Sequence, residues 1–440
     1  MSMTQHPNNQ DTWEETWDPN WTPTPEQVAE IAAMPDLPAA AIGQQQRANW
    51  SFGNFNREEK PTPLTAWADP ASGIVSQQDI RAACEAGYRG DKLPDYDFIL
   101  PGGVAGDVGV VAGGGNLGKS WVAIQLAISL AAGIDIFGLL SGVPTNAGWT
   151  IKRRKVAYVS LEDNADTAYR RLHSIFAFLR KNKDNPQFEK IEIEKTITMI
   201  EENFQIVDMS GRGEKAYVSS EGMTPEDRDE IVELISDRFK GFDLIIFDTL
   251  RRSNSHDEND NVGANRTLSQ FDQIAANVGC MILVLTHVTK EASFNGDTQI
   301  EVVRGSGVWS CNSRYGCVMA PVGQQKDKTG KKVRVDEYLR RHFVRLAIPK
   351  ANKIAPISEI WLHRSSNGVL YKTDIDVDAA IQLSMANSDL TFLDEDSIRT
   401  ALKIAGKGRP KTTVSRNIEK PSDQTPGKLR EKPAAASRRA

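Results

Sequence analysis

Residues 110–120 constrain the fold of this chain more than any other part of its sequence. They read VVAGGGNLGKS and contain the spacing G-x-x-x-x-G-K-S, which runs from Gly113 to Ser120. An apolar run precedes the glycines, and residues 121–130 follow them with helical periodicity. This order of strand, glycine-rich loop and helix is the context that a phosphate-binding loop requires. The segment therefore predicts a nucleoside triphosphate site, rather than a glycine turn before an ordinary helix.

The residues of this loop have separable roles in the predicted site. Glycines let successive backbone N–H groups face a phosphate at the start of a helix. Lys119 is expected to reach the β- and γ-phosphates of ATP, and the Ser120 hydroxyl is expected to ligate Mg²⁺. We therefore predict nucleotide contacts from Gly113, Gly114, Gly115, Asn116, Leu117, Gly118, Lys119, Ser120 and Trp121.

Composition narrows the class of protein. The four cysteines include no C-x-x-C pair, so reduced thiols in a cytoplasmic protein fit better than a zinc site or disulfides. The first ten residues carry neither a basic region nor an apolar core, so we expect no signal peptide. Apolar stretches stop well short of the ~18 residues that a membrane-spanning helix needs. We expect a soluble protein without membrane association.

Charge differs sharply between the two ends of the chain. Residues 1–67 hold three basic and nine acidic residues, whereas residues 401–440 hold eleven basic and three acidic ones. Residues 1–75 also carry five tryptophans and few aliphatic side chains, which predicts a disordered acidic extension. This extension could dock a partner or fold back over the remainder. Residues 386–440 are predicted to form a small helical element and a disordered basic tail, which either binds nucleic acid or stays solvated.

Between these extensions, residues 76–385 alternate strand-like and helix-like runs. That pattern predicts an α/β domain with a largely parallel sheet and helices on its faces. The charged stretch 181–199 is expected to be a surface insertion. The strand-like runs are 108–112, 155–161, 204–208, 244–248 and 281–286, and the helix-like runs are 77–86, 119–132, 165–180, 225–239 and 263–277. Three later runs, 315–320, 342–348 and 357–363, are expected to close one edge as antiparallel strands.

Three strand-like runs end in polar residues suited to ATP hydrolysis. Asp248 ends an apolar run and is expected to hold Mg²⁺ or its water shell beside the phosphate loop. Glu162 ends another, where a carboxylate could deprotonate the attacking water. The adjacent Asp163 and Asn164 suit a helix cap better. His287 ends the third and is placed to sense the γ-phosphate, although a lone histidine is more often structural.

Arg304 follows a glycine-bearing loop and is a candidate arginine finger that completes the site of a neighbouring subunit. The finger requires an oligomer. On spacing alone, a surface arginine or an ordinary ion pair is a competing interpretation.

Six segments in order resemble RepA-type hexameric replicative helicases of IncQ-type plasmids, within the RecA-like superfamily of P-loop ATPases. The resemblance covers residues 94–370 and neither terminal extension. The segments are PDYDFILPGGVAGDVGVVAGGGNLGKS, VSLEDNADTAYRRLH, IIFDTLRRSNSHDENDN, LTHVTKEA, VVRGSGVWSCNSR and RHFVRLAIPKAN.

The resemblance implies a RecA-like fold and a ring of six subunits around single-stranded DNA, with ATP between subunits. It implies phosphate and Mg²⁺ contacts from Lys119 and Ser120, Glu162 as base, Asp248 on the metal, His287 as sensor and Arg304 as finger. A ring helicase also needs channel loops, for which we propose DNA contacts from Arg251, Arg252 and Lys290. Replication-initiation or primase partners could bind the terminal extensions.

These observations predict an ATP-dependent DNA helicase that acts in the replication of a plasmid or mobile element. A RecA-like loader or recombination mediator, which uses ATP to switch DNA affinity without unwinding, shares every nucleotide motif. A non-catalytic regulator is a third possibility, but a pure switch does not need the carboxylate of Glu162.

Overall fold

The computed structural model describes residues 77–90, 96–142, 149–326, 329–354, 357–387 and 389–407. The predictions for the acidic extension and for the basic tail beyond residue 407 lie outside these residues. The chain divides into two units, Met1–Leu93 and Pro94–Ala440. In the first unit the described residues form one helix, α1 (Gln77–Arg89), where the sequence predicts a helix over 77–86.

The second unit alternates strands and helices from its beginning. In chain order its elements are β1 (Val108–Gly113), α2 (Lys119–Ala132), β2 (Val156–Ser160), α3 (Ala165–Lys181), α4 (Ile193–Asn203), β3 (Phe204–Asp208), α5 (Pro225–Arg238), β4 (Leu244–Asp248), α6 (Leu250–Ser253), α7 (Asn261–Val278), β5 (Met281–His287), α8 (Lys290–Asn295), α9 (Val308–Asn312), β6 (Tyr315–Pro321), β7 (Gln325–Lys326), β8 (Lys332–Val333), α10 (Glu337–His342), β9 (Phe343–Ala351), β10 (Ile360–Arg364), β11 (Leu370–Lys372), α11 (Val377–Ala386) and α12 (Glu395–Lys407). Short 3₁₀ turns occupy Gly213–Ala216 and Ile300–Val302.

Nine of these strands form one sheet in the order β11-β10-β9-β6-β1-β5-β4-β2-β3. The six strands from β6 to β3 are parallel to one another, and β9, β10 and β11 add antiparallel strands at one edge. The predicted α/β fold with a mostly parallel sheet is therefore confirmed. Because parallel strands end at the same edge, Gly113 lies opposite His287 and Ser160 lies opposite Asp248.

The orientation expected for the strand over 315–320 is wrong in part. This strand, β6, pairs parallel with β1 and antiparallel with β9, so it joins the parallel core to the antiparallel edge. Six of its seven residues are buried in succession, which is the pattern of a strand covered on both faces. Such a run does not reveal strand direction.

Both faces of the sheet are covered by helices. Successive side chains of β4 alternate between two apolar clusters, with Leu244 and Ile246 in one and Ile245 and Phe247 in the other. The first cluster includes α2 and α3, and the second includes α7. Strands buried on both faces explain why their sequences are continuously apolar rather than alternating.

The expectation that the stretch 181–199 is a surface insertion is wrong in part: most of residues 181–192 are exposed, but the following residues form a helix that packs on the core. This helix, α4, packs against α2, and its Ile200 belongs to the buried core. Ile193, Thr196 and Ile200 recur at helical spacing, so the apolar stripe faces inward while the charged residues face solvent.

A third apolar cluster lies beneath the antiparallel edge. Leu339 of α10, Phe343 of β9, Ile381 of α11 and Ile398 of α12 are all buried in it. The helical element predicted after residue 386 corresponds to α12. Among the described residues, no helix is long and apolar enough to cross a membrane.

Candidate nucleotide-binding site

The loop between β1 and α2 has the geometry of a phosphate cradle. Gly118 caps α2 with a left-handed backbone (φ 91°), and a Cβ at this position would lie 2.8 Å from the Leu370 side chain. At Gly114, a Cβ would overlap the hydroxyl of Ser293 in α8. The left-handed backbone at Gly118 favours glycine there, whereas a side chain at Gly114 would require the Ser293 hydroxyl to turn away.

Lys119 is buried inside this curve. Its Nζ donates to the carbonyl oxygens of Gly113 and Gly114, both at 3.1 Å, and lies 3.4 Å from Nδ1 of His287. Burial lowers the pKa of Lys119, and the charges of Asp248 and Glu162 oppose that shift. A phosphate bound in the loop would supply the counter-charge that this desolvated ammonium lacks.

Ser120 and Asp248 meet at the start of α2 and the end of β4. Burial raises the pKa of Asp248, whereas hydrogen bonds from Ser120 and Tyr158 lower it. The Tyr158 hydroxyl donates to Oδ2 of Asp248 at 2.5 Å. A hydroxyl and a carboxylate beside a phosphate loop fit Mg²⁺, which takes few protein ligands and keeps water and phosphate oxygens as the others. No group of three or more His, Cys, Asp or Glu among the described residues offers another metal site.

Glu162 lies just beyond the end of β2 and is exposed. Burial lowers the pKa values of both Lys119 and His287, and the nearby charge of Glu162 opposes that lowering at each of them. Within the part of the chain that the structure describes, no hydrogen bond or ion pair engages that carboxylate. It is thus free to contact a water molecule.

The two residues that follow Glu162 have structural roles. Asp163 pairs with Arg171, with Oδ2 and Nη2 2.6 Å apart. Asn164 caps α3 by accepting a hydrogen bond from the backbone N–H of Thr167, as the sequence predicts. Asp163 and Asn164 are thus engaged in structural contacts, which leaves Glu162 as the candidate general base after β2.

His287 ends β5 directly beside the loop. Burial, and then the charge of Lys119, lower its pKa, so its imidazole is neutral at neutral pH. Because Nδ1 faces the Lys119 ammonium, this nitrogen accepts and the proton resides on Nε2. The chain therefore offers an N–H donor next to the phosphate site.

We expect nucleotide to raise the pKa of His287. Without nucleotide, this histidine should titrate below its ordinary 6.5, because burial and Lys119 disfavour the imidazolium. Phosphate charge nearby favours the imidazolium, so a nonhydrolysable ATP analogue with Mg²⁺ should move the titration to higher pH. NMR titration of the imidazole signals, with His287→Gln to assign the resonance among six histidines, measures the shift. An unchanged titration would contradict the sensor role.

Arg304 lies beside His287 in its own chain. Its backbone N–H donates to the His287 carbonyl at 2.8 Å, and its Nη2 lies 2.8 Å from Oε2 of Glu258. Both side chains line a cavity of about 30 Å³ together with His287 and Arg251. The Arg304 guanidinium is thus held near the phosphate edge by an intrachain ion pair.

The three residues predicted to contact DNA do not form one surface. Arg251 and Arg252 are exposed on α6, and Arg251 lines the cavity beside Arg304. Lys290 begins α8 and lines a separate, larger groove.

Two residues that sequence reasoning missed support the site. Nη2 of Arg364 in β10 donates to the Leu117 carbonyl of the loop at 2.7 Å. Tyr158 of β2 binds Asp248, as described above. The Trp121 ring lies against the turn before β11, where a Cβ at Gly368 would be 2.8 Å from it. No local pattern could have revealed Arg364, because 247 residues separate it from Leu117.

Comparison with known proteins agrees with this geometry. Residues 85–293, just under half of the chain, match the family model described as an AAA domain. That range contains every predicted site residue except Arg304. A similar solved structure is described as an ATPase domain, with a TM-score of 0.43 and 12% identity over 68% of this chain and all of that one.

The topology matches the RecA-like fold that the sequence resemblance implies. The strand that carries Asp248 is separated from the phosphate-loop strand by β5, and all three strands are parallel. Residues 85–293 are therefore similar to AAA domains and contain a phosphate loop at the edge of a mostly parallel sheet.

Proposed function

We propose that this protein is a cytoplasmic, ATP-dependent DNA helicase of the RepA type. It would form a hexameric ring on single-stranded DNA and unwind duplexes during replication of a plasmid or mobile element. The observation that carries the catalytic part is the convergence of Lys119, Ser120, Asp248, Glu162 and His287 at one edge of the sheet. The order of the six RepA-like segments supports the unwinding part.

The proposed hydrolysis is an in-line attack of water on the γ-phosphate. Lys119 binds the phosphates and offsets the charge that develops on them. Ser120 and Asp248 would hold Mg²⁺, which would supply positive charge beside the phosphate oxygens. Glu162 orients the water and accepts its proton, and the Nε2–H of His287 donates toward the γ-phosphate. Arg304 of a neighbouring subunit completes the charge stabilisation.

Exposed cations next to the site support contact with DNA. Arg251 and Arg252 follow the strand of Asp248, and Lys290 follows the strand of His287. Release of the γ-phosphate can therefore shift the segment that carries Arg251 and Arg252 and the segment that carries Lys290. Contacts of this kind to backbone phosphates are tolerant of sequence and sensitive to salt.

Strand displacement on a forked duplex with one fluorescent strand tests the proposal. We expect the wild type to release the labelled strand only with hydrolysable ATP, and Lys119→Ala to release none. The matched control is Lys240→Ala, which removes an exposed lysine just after α5 and should unwind like the wild type.

Two outcomes would contradict the helicase function. DNA-stimulated ATP hydrolysis by the wild type without strand release would favour the loader or mediator. Nucleotide binding with no hydrolysis at all would favour the non-catalytic regulator.

A further inference from the structure

A basic groove of about 650 Å³ lies between α8 and α10. Its lining includes Lys290 and Phe294 from α8, Arg334, and Glu337, Arg340 and Arg341 from α10. We call it the α8–α10 groove. Its α10 side lies beyond residue 293, outside the matched AAA domain.

Positive charge in this groove is largely uncompensated. Four of the named lining residues are cationic, and the one acid, Glu337, forms an ion pair with Arg341 on its own helix. Among the described residues, no side-chain hydrogen bond or ion pair engages Lys290, Arg334 or Arg340. A concave surface lined by charges of one sign concentrates their field, so the groove attracts polyanions.

Phe294 gives the groove an aromatic surface as well. Half of this side chain is exposed, and Lys332 Nζ lies 5.4 Å from the ring centroid. Proteins that bind single-stranded nucleic acids combine exposed aromatic rings, on which bases stack, with cations that bind the phosphate backbone. The half-exposed Phe294 ring and the cations around it provide both. A double helix offers its bases no such access.

The groove is also connected to the phosphate loop by a short path. The helix α8 begins three residues after His287, and the Ser293 hydroxyl lies against Gly114, 2.3 Å from where a Cβ at that position would be. The next residue, Phe294, lines the groove together with Lys290. Ser293 lines the groove as well, so α8 contacts both the phosphate loop and the groove.

We propose that the α8–α10 groove binds single-stranded DNA, with Lys290, Arg334 and Arg340 on backbone phosphates and Phe294 stacked on a base. The position of α8 makes the affinity of this groove depend on the bound nucleotide. The identity of the ligand rests on the proposed function. The acidic extension, residues 1–75, is the competing occupant, because its residues 1–67 carry net negative charge.

Fluorescence anisotropy with labelled oligo-dT tests the groove in the full chain, with a nonhydrolysable ATP analogue and Mg²⁺ present. In the Arg334→Ala/Arg340→Ala variant, losing two phosphate contacts should flatten the slope of log K against log[salt] by about 1.4. Phe294→Ala should weaken binding by about 5- to 150-fold and leave that slope unchanged. Arg180→Ala/Lys240→Ala, which removes two exposed cations elsewhere, is the control and should bind like the wild type. Thermal melting confirms that each variant is folded.

The outcomes separate the groove from the proposed function. If the groove variants bind oligo-dT as tightly as the wild type and with the same salt dependence, the α8–α10 groove is not the DNA site. The helicase proposal would still stand in that case. If the wild type does not bind oligo-dT, the helicase proposal itself fails. If the groove variants lose only the binding of a synthetic peptide of residues 11–30, the acidic extension is the occupant.

Nucleotide coupling has its own test. The ratio of oligo-dT affinities with ADP and with the ATP analogue should differ from one in the wild type. In Ser293→Ala the ratio should move toward one, because the hydroxyl that contacts Gly114 is removed. An unchanged ratio would overturn the coupling and leave the groove in place.

Discussion

Glu162→Gln is expected to lower kcat for ATP hydrolysis by about 10²- to 10⁴-fold, the usual contribution of a general base. The substitution keeps the size of the side chain and removes its ability to accept a proton. Nucleotide affinity should change little, because Lys119 and the glycine loop, not Glu162, surround the phosphates. Single-turnover hydrolysis, with a fluorescent nucleotide to measure binding, separates the two quantities.

The adjacent carboxylate provides the matched control. Asp163→Asn removes the same charge one residue away, but the Asp163 carboxylate is already held by Arg171. We expect this variant to keep most of its hydrolysis rate. If Asp163→Asn were inactive and Glu162→Gln fully active, the base would be Asp163, and Arg171 would have to release it during the reaction.

Local patterns in the sequence were sufficient to predict which strand ends meet at the edge of the sheet that carries the phosphate loop. The loop from Gly113 to Ser120 and the strands that end at Asp248 and His287 each carry their signal within a few consecutive residues. Parallel strands deliver such ends to one edge, so their convergence follows from the α/β pattern alone.

Contacts between distant segments could not be predicted from the sequence, because they leave no pattern within a few consecutive residues. Arg364 reaches the Leu117 carbonyl only because β10 joins the sheet through β9. The strand β6 pairs parallel with β1 and antiparallel with β9, and its own sequence does not indicate which strands lie beside it. The charged composition of residues 181–199 concealed the stripe of Ile193, Thr196 and Ile200 that packs α4 on the core.

Arg304→Ala is expected to lower kcat by about 10³- to 10⁵-fold, the range of an arginine finger. The observed ion pair between Arg304 and Glu258 does not oppose this role. The Arg304 side chain is 53% exposed and that of Glu258 33% exposed. An ion pair this open to solvent contributes about 0–1 kcal/mol, so Arg304 can leave Glu258 for a phosphate at small cost. Arg266→Ala, at an exposed position on α7, is the control for loss of positive charge.

Mixing two inactive variants decides whether Arg304 acts on its own nucleotide or on that of a neighbour. Lys119→Ala destroys the loop but keeps the finger, and Arg304→Ala keeps the loop but loses the finger. In a head-to-tail ring, an equal mixture places an intact loop against an intact finger at about one interface in four. Hydrolysis should then reappear on mixing, although each variant alone is inactive. If Arg304 acts within its own chain, every site in the mixture lacks one group and no activity returns, and the Arg304 guanidinium would then act on the nucleotide of its own subunit.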